Sequence, residues 1–275
     1  MKKLLLVALL LAPCLAEART ILFIGNSFTF GAGSAVHRYK SETVTDLNPP
    51  DAKGRTVGGV PAIFKSFTKQ AGLDYDVSLE TVGGKGLDFH FAEKRALIDK
   101  PWDVVVMHGY STLDRANPGN PALLVASAKQ MTDMFRAKNP RAEVWLDATW
   151  SRADQTYPEG KPWHGKPIQQ MGNEIAAAYD MAAKNARANG VVPVGLAWNR
   201  AMDAGVADDN PYDGIAPGKV NLWTHDSYHG SAFGYYLEAL MVFGKLTGKD
   251  PLSLGDTETV AEDMGFSKIQ TKALQ

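Results

Sequence analysis

Cysteine is nearly missing from this sequence: Cys14 is the only one in 275 residues, and it lies in the N-terminal apolar stretch. If that stretch is a leader that is removed, the mature chain has no thiol. Disulfides, thiol nucleophiles and cysteine-ligated zinc are then excluded. Charge of one sign is also missing, with 29 Lys and Arg against 30 Asp and Glu and a formal net charge of −1. There is no basic surplus to attract nucleic acid and no acidic tail. No GK[ST] phosphate loop occurs. "GAGSAV", from Gly31, does not immediately follow a strand and lacks the small third residue of a dinucleotide-binding turn. Internal repeats and low-complexity linkers are absent as well.

One long apolar run is present, "LLLVALLLA" at residues 4–12, too short to span a bilayer comfortably. Lys2 and Lys3 precede it, and Ala16-Glu17-Ala18 follows in A-x-A order. That order predicts a secretory signal peptide over residues 1–18, cleaved after Ala18. Pro13 before Cys14 argues against a lipoprotein. The expectation is an exported bacterial protein, periplasmic or extracellular, with no membrane span once the leader is gone. Loss of Lys2, Lys3 and Glu17 would leave a formal charge of about −2. Residues 19–275 read as one domain, and 45% hydrophobic residues are enough for a sizeable core.

Five short apolar runs recur, bounded by Gly, Pro, Asp or Asn: Ile21 to Gly25, Tyr75 to Gly83, Asp103 to Gly109, Ala142 to Trp150, and Gly190 to Trp198. Several are continuous rather than alternating, as in strands buried on both faces. Helical spacing lies between and after them, in "VPAIFKSFTKQAG", "PALLVASAKQMTDMFRAKN", "PIQQMGNEIAAAYDMAAKNARANG" and "SAFGYYLEALMVFGKLTG". The alternation predicts an α/β domain with a mostly parallel five-stranded sheet. Two long connections, Ser151 to Pro167 and Met202 to Gly230, are rich in Pro, Gly, Asp and Trp. Long loops of this kind often carry function, and ligands of open α/β sheets bind beyond the carboxyl ends of the strands.

Ser27 follows the first run directly. It can be an N-cap or turn serine, or a nucleophile beside backbone N–H groups. Asp226 and His229 stand in "WTHDSYHGS" just before the last helical pattern. They can be a helix-start aspartate and a surface histidine, or the orienting acid and general base that a serine nucleophile needs. A third reading is metal binding by His225, Asp226 and His229, but no separate further ligand is identifiable. Gly83, Gly84 and Gly86 after the second run either form a plain turn or let backbone N–H groups approach a ligand. "HGYST", His108 to Thr112, puts polar side chains at the end of the third run.

"ILFIGNSFT", the glycine after the second strand, the polar end of the third and the late "DSYH" before "GSAFGYYLEA" together resemble the SGNH (GDSL-like) hydrolase superfamily. The likeness is closest to the branch with G-N-S in place of G-D-S, and it runs from residue 20 to about 247. It implies a three-layer α/β/α sandwich of flavodoxin-like type. It implies Ser27 as nucleophile, His229 as general base and Asp226 as its orienter. The implied oxyanion hole is the backbone N–H of Ser27, that of Gly84 (with Gly83 the alternative) and a side chain from the third block. There the superfamily usually has G-x-N-D, whereas this sequence has Gly109-Tyr110-Ser111-Thr112. Ser111 takes the place of the asparagine, with Tyr110, His108 and Asn26 as other donors.

The activity implied is that of a serine esterase working through an acyl-enzyme, with no cofactor or metal and a small-molecule or glycan ester as substrate. Trp150, Trp163 and Trp223 fall in or beside the two long loops, where they can stack on sugar rings or anchor the loops internally. With Asn26 and Tyr110 they make up the candidate substrate contacts. Together with export they point to an acylated carbohydrate. The alternatives are a lipase or thioesterase of the same type, and a non-catalytic glycan-binding protein on the same fold. The sequence leaves oligomeric state open.

Overall fold

The computed structural model describes residues 18–275; the expected signal peptide, residues 1–17 of it, lies outside the described residues. Strand β1 (Arg19–Gly25) is the centre of a parallel six-stranded sheet. The other strands are β2 (Thr45–Asp46), β3 (Tyr75–Thr81), β4 (Val104–Met107), β5 (Glu143–Asp147) and β6 (Gly190–Val192), in the order β2-β3-β1-β4-β5-β6. β1 pairs on one side with β3, placing Gly25 beside Thr81, and on the other with β4, placing Ile24 beside Met107.

Helices fill the crossovers and follow the last strand. Along the chain they are α1 (Gly59–Gln70), α2 (Leu87–Glu93), α3 (Arg95–Ile98), α4 (Ala122–Lys138), α5 (Ala153–Thr156), α6 (Ile168–Ala186), α7 (Val194–Asp203), α8 (Ala232–Thr247), α9 (Thr259–Asp263) and α10 (Lys268–Leu274). The continuous apolar character of β1 has a direct cause. Ile21 and Phe23 point into the core shared with α1, α7 and α8, while Leu22 and Ile24 point into the core shared with α2, α4 and α6. All four are buried, and each such side chain contributes about 1.5–3 kcal/mol relative to exposure. The result is the three-layer α/β/α architecture, with every strand's carboxyl end at one edge.

Two expectations about the sheet need correction. The sixth strand, β2, is a two-residue edge strand without an apolar run, so period and hydrophobicity do not reveal it. The stretch Gly190 to Trp198 is a strand only as far as Val192. Pro193 lacks the N–H that a ladder needs, and α7 begins at the next residue. The apolar residues beyond it obey a helical period, since Val194, Gly195, Trp198, Asn199 and Met202 form the buried face of α7. No helix among the described residues is long and apolar enough to cross a membrane.

Candidate active site

β1 delivers the chain into a tight turn at the carboxyl edge of the sheet. Gly25 is required there by space: a Cβ would lie 2.2 Å from Thr29 Oγ1 and 2.3 Å from His108 Nε2. Asn26 then ties three segments together. Its Nδ2 donates to the carbonyls of Lys85 (2.9 Å) and Gly109 (3.1 Å), and its Oδ1 accepts from the Phe28 N–H at 3.2 Å. With its amide so engaged, Asn26 joins the loops after β1, β3 and β4 rather than presenting a free donor. Gly25→Ala is expected to force this turn apart at a cost of about 1–3 kcal/mol. The midpoint of urea unfolding measures it, and an unchanged midpoint would show that the turn has slack.

Ser27 does not cap a helix. The first helical turn after it is a short 3-10 segment, Ala35–Arg38, and its cap is Ser34. Ser27 is 6% exposed, and among the described residues neither its hydroxyl nor its backbone N–H has a protein hydrogen-bond partner. Its carbonyl accepts from Tyr235 Oη at 3.2 Å, which pins the turn to α8; the same hydroxyl lies 3.1 Å from the Ala32 carbonyl.

Asp226 and His229 come together in one tight turn. His229 Nδ1 lies 2.6 Å from Asp226 Oδ2. Asp226 Oδ1 accepts from Thr224 Oγ1 (2.7 Å), from the His229 N–H (2.9 Å) and from the Tyr228 N–H (3.0 Å). Partial burial raises the pKa of this carboxyl, but the hydrogen bonds from Thr224, His229 and Tyr228 outweigh it and hold the group well below the usual carboxylate range. A carboxylate can only accept, so Nδ1 carries a proton, and in the neutral imidazole the lone pair is then on Nε2. Ser227 adopts a left-handed backbone, φ 55°, where the turn reverses. His225 does not join the pair, and no group of three or more His, Cys, Asp or Glu that could hold a metal occurs among the described residues.

Aromatic rings connect the two turns. Phe28, next to Ser27, meets the His229 ring edge-on at 5.8 Å and the Tyr228 ring at 5.4 Å. It also stacks on Trp150 at 4.1 Å, and Trp150 is stacked in turn on Trp198 at 4.5 Å. Trp150 Nε1 donates to the Tyr228 carbonyl (3.2 Å), and Trp223 Nε1 donates to the Ser151 carbonyl (2.9 Å). Trp163 Nε1 donates to Glu174 Oε2 at 2.7 Å. All three indoles are buried, at 0%, 1% and 3% exposure for Trp150, Trp223 and Trp163. Of the two readings of these residues, internal anchor describes them; stacking on a sugar ring is ruled out by burial. No hydrogen bond joins Ser27 Oγ to His229 in this structure.

A cavity of about 210 Å³ opens beside both turns, lined by Asn26, Gly84, Tyr110, Ser111, Thr112, Arg115, Arg152 and Tyr228. Gly84 is in the left-handed region, φ 69°, and its N–H has no protein acceptor among the described residues. Gly83 is not part of the lining. Tyr110 packs on Gly86, where a Cβ would lie 2.4 Å from its ring. His108 is not a free donor. Its Nδ1 donates to the Gly109 carbonyl (3.0 Å), and its Nε2 therefore accepts from Thr29 Oγ1 (2.7 Å). Burial pushes its pKa down to about 4, with His90 nearby acting in the same direction and the Gly109 hydrogen bond opposing, so the ring is neutral near pH 7.

Arg152 enters the cavity from the loop after β5, and no sequence motif marks it. It is found only once the fold brings residues 111, 152 and 228 together. The same holds for Tyr235, whose partner Ser27 is 208 residues away.

No known family profile and no curated protein sequence matches this chain. Solved structures do resemble it. One is a DUF4886 family protein from Bacteroides uniformis, 18% identical with a TM-score of 0.58, over 94% of this chain and 92% of that one. A GDSL-like protein from Parabacteroides merdae is 16% identical with a TM-score of 0.55, over 84% and 96%. An acetyl xylan esterase is 14% identical with a TM-score of 0.54, over 82% and 99%. At these identities the likeness is one of fold: the chain has the flavodoxin-like α/β/α fold found in GDSL-like hydrolases.

Proposed function

We propose that this chain is an exported serine esterase, with Ser27 as nucleophile, His229 as general base and Asp226 as its orienter, acting on an acylated carbohydrate. The observation that carries the reading is the 2.6 Å Asp226–His229 bond in a turn packed, through Phe28, against the turn of a nearly buried serine whose hydroxyl has no protein partner among the described residues. Asp226 fixes the tautomer in which Nε2 can take a proton. In this reading substrate binding completes the Ser27–His229 hydrogen bond, since catalytic hydrogen bonds often tighten only in the substrate complex.

In the reaction, Ser27 Oγ bonds to the ester carbonyl carbon while its proton passes to His229 Nε2. In this reading the backbone N–H groups of Ser27 and Gly84 and the hydroxyl of Ser111 donate to the developing oxyanion. Collapse breaks the bond to the alcohol, which leaves with the proton from His229. Water then attacks the acyl-serine, giving a proton to Nε2. The carboxylic acid departs, and Ser27 is reprotonated.

The cavity supports a short acyl group. Its side chains are hydroxyls, two arginines, an amide and tyrosine rings, a poor surface for a long alkyl chain. The fold shared with an acetyl xylan esterase agrees with this substrate class, and the A-x-A leader motivates export. Acetylated sugars are expected to be cleaved with a kcat/KM at least about tenfold above that of long-chain acyl esters, a difference of ~1.4 kcal/mol. The reverse order would make the protein a lipase or thioesterase. The missing third-block asparagine is what favours the alternative, a non-catalytic glycan-binding protein. That alternative requires no labelling by a serine-reactive phosphonate and glycan affinity unchanged in Ser27→Ala.

A further inference from the structure

Ser111 stands where related hydrolases carry an asparagine, and a lone hydroxyl is a poor replacement. It rotates freely and can turn its hydrogen away from the substrate. Here the rotation is restricted by Arg152. Its Nη1 donates to Ser111 Oγ at 3.2 Å. The guanidinium is itself fixed on three sides: Nε donates to Asp154 Oδ1 (2.9 Å), Nη2 to Asp154 Oδ2 (2.6 Å), and the plane lies 3.5 Å from the centre of the Tyr228 ring. The Arg152 side chain is only 14% exposed, and both it and Ser111 line the cavity that Gly84 lines.

An oxygen that accepts from a guanidinium has its lone pair occupied on that side, so its own hydrogen is directed elsewhere. The bond also withdraws electron density and makes the hydroxyl a stronger donor. We propose that Arg152 is a positioning residue which, through Ser111, completes the oxyanion hole in place of the missing asparagine. This rests on the esterase reading above.

The test compares an acetyl ester with its thiono analogue, in which sulfur replaces the carbonyl oxygen. Sulfur accepts hydrogen bonds poorly, so a loss of oxyanion donation slows the oxygen ester selectively. A merely structural disturbance slows both. Ser111→Ala and Arg152→Gln are each expected to lower kcat on the oxygen ester by about 10²–10³-fold, the size of one lost oxyanion donor. KM should stay nearly constant, and the oxygen-over-sulfur ratio should fall in both. The double variant should be no slower than the slower single one, because the two residues act as one donor.

An unchanged oxygen-over-sulfur ratio in Arg152→Gln, a multiplicative loss in the double variant, or a raised KM at constant kcat overturns the proposal while leaving the esterase reading in place. Wild-type protein that cleaves neither ester, or Ser27→Ala protein that cleaves both, removes the esterase reading and this proposal with it. If Arg152→Gln does not fold, Ser111→Ala against Ser111→Asn decides. The asparagine variant should keep the wild-type ratio, and a low ratio in it counts against the proposal.

Discussion

Ser27→Ala and His229→Ala are each expected to lower kcat on an acetyl ester by about 10⁶-fold, and Asp226→Asn by about 10⁴-fold, the sizes such changes have in serine hydrolases built on a triad. The asparagine variant is the most informative. Asp226 accepts hydrogen bonds on both oxygens: three on Oδ1, from Thr224, Tyr228 and His229, and one on Oδ2 from the His229 ring. Asparagine can keep its oxygen on the Oδ1 side and so preserve the turn. Its NH₂ then faces His229 Nδ1, which has to accept. The imidazole proton moves to Nε2, and the lone pair needed to take the Ser27 proton is lost. Stability should therefore stay near wild type while kcat collapses. Thermal unfolding and initial rates on the same samples separate these effects. Full activity in Asp226→Asn would remove Asp226 from the proposed mechanism.

The core of the fold is legible in the sequence because its strands are buried on both faces. β1 and β4 read as continuous apolar runs, β3 alternates apolar with polar residues, β5 is a short apolar stretch between two acids, and α1, α4, α6 and α8 keep a helical period. What escapes is short or mixed. β2 has only two residues and no apolar pattern. The run from Gly190 to Trp198 hides a change of period at Pro193, where an unbroken apolar string passes from strand to helix.

At the candidate site, Asp226 and His229 are legible as partners because three residues of one turn bring them together, so local spacing suffices. Arg152, Tyr228 and Tyr235 are not legible. Their partners lie on other elements, and only the parallel sheet, which collects every loop at one edge, makes them neighbours. The tryptophans fail for a different reason. Composition records that aromatic residues occur in the long loops, but not whether a loop folds over the core or away from it.

That difference gives the second large effect. Trp150→Ala is expected to destabilise the protein by about 3–5 kcal/mol, the usual cost of deleting a fully buried aromatic ring. In a domain of this size that lowers the melting temperature by roughly 10 °C. The indole lies between Phe28 and Trp198, and its N–H holds the Tyr228 carbonyl, so it braces the Ser27 turn and the His229 turn at once. Trp150→Phe separates the two contributions. A phenyl ring can preserve much of the stack but leaves the Tyr228 carbonyl without its donor, a cost of about 1–3 kcal/mol. The phenylalanine variant should then melt between wild type and Trp150→Ala. At a temperature where it is fully folded, it should still lose activity, because the residue before His229 is no longer tethered. Wild-type rates in folded Trp150→Phe would mean that stacking alone sets the position of the histidine turn. Wild-type melting in Trp150→Ala would mean that the ring braces neither turn.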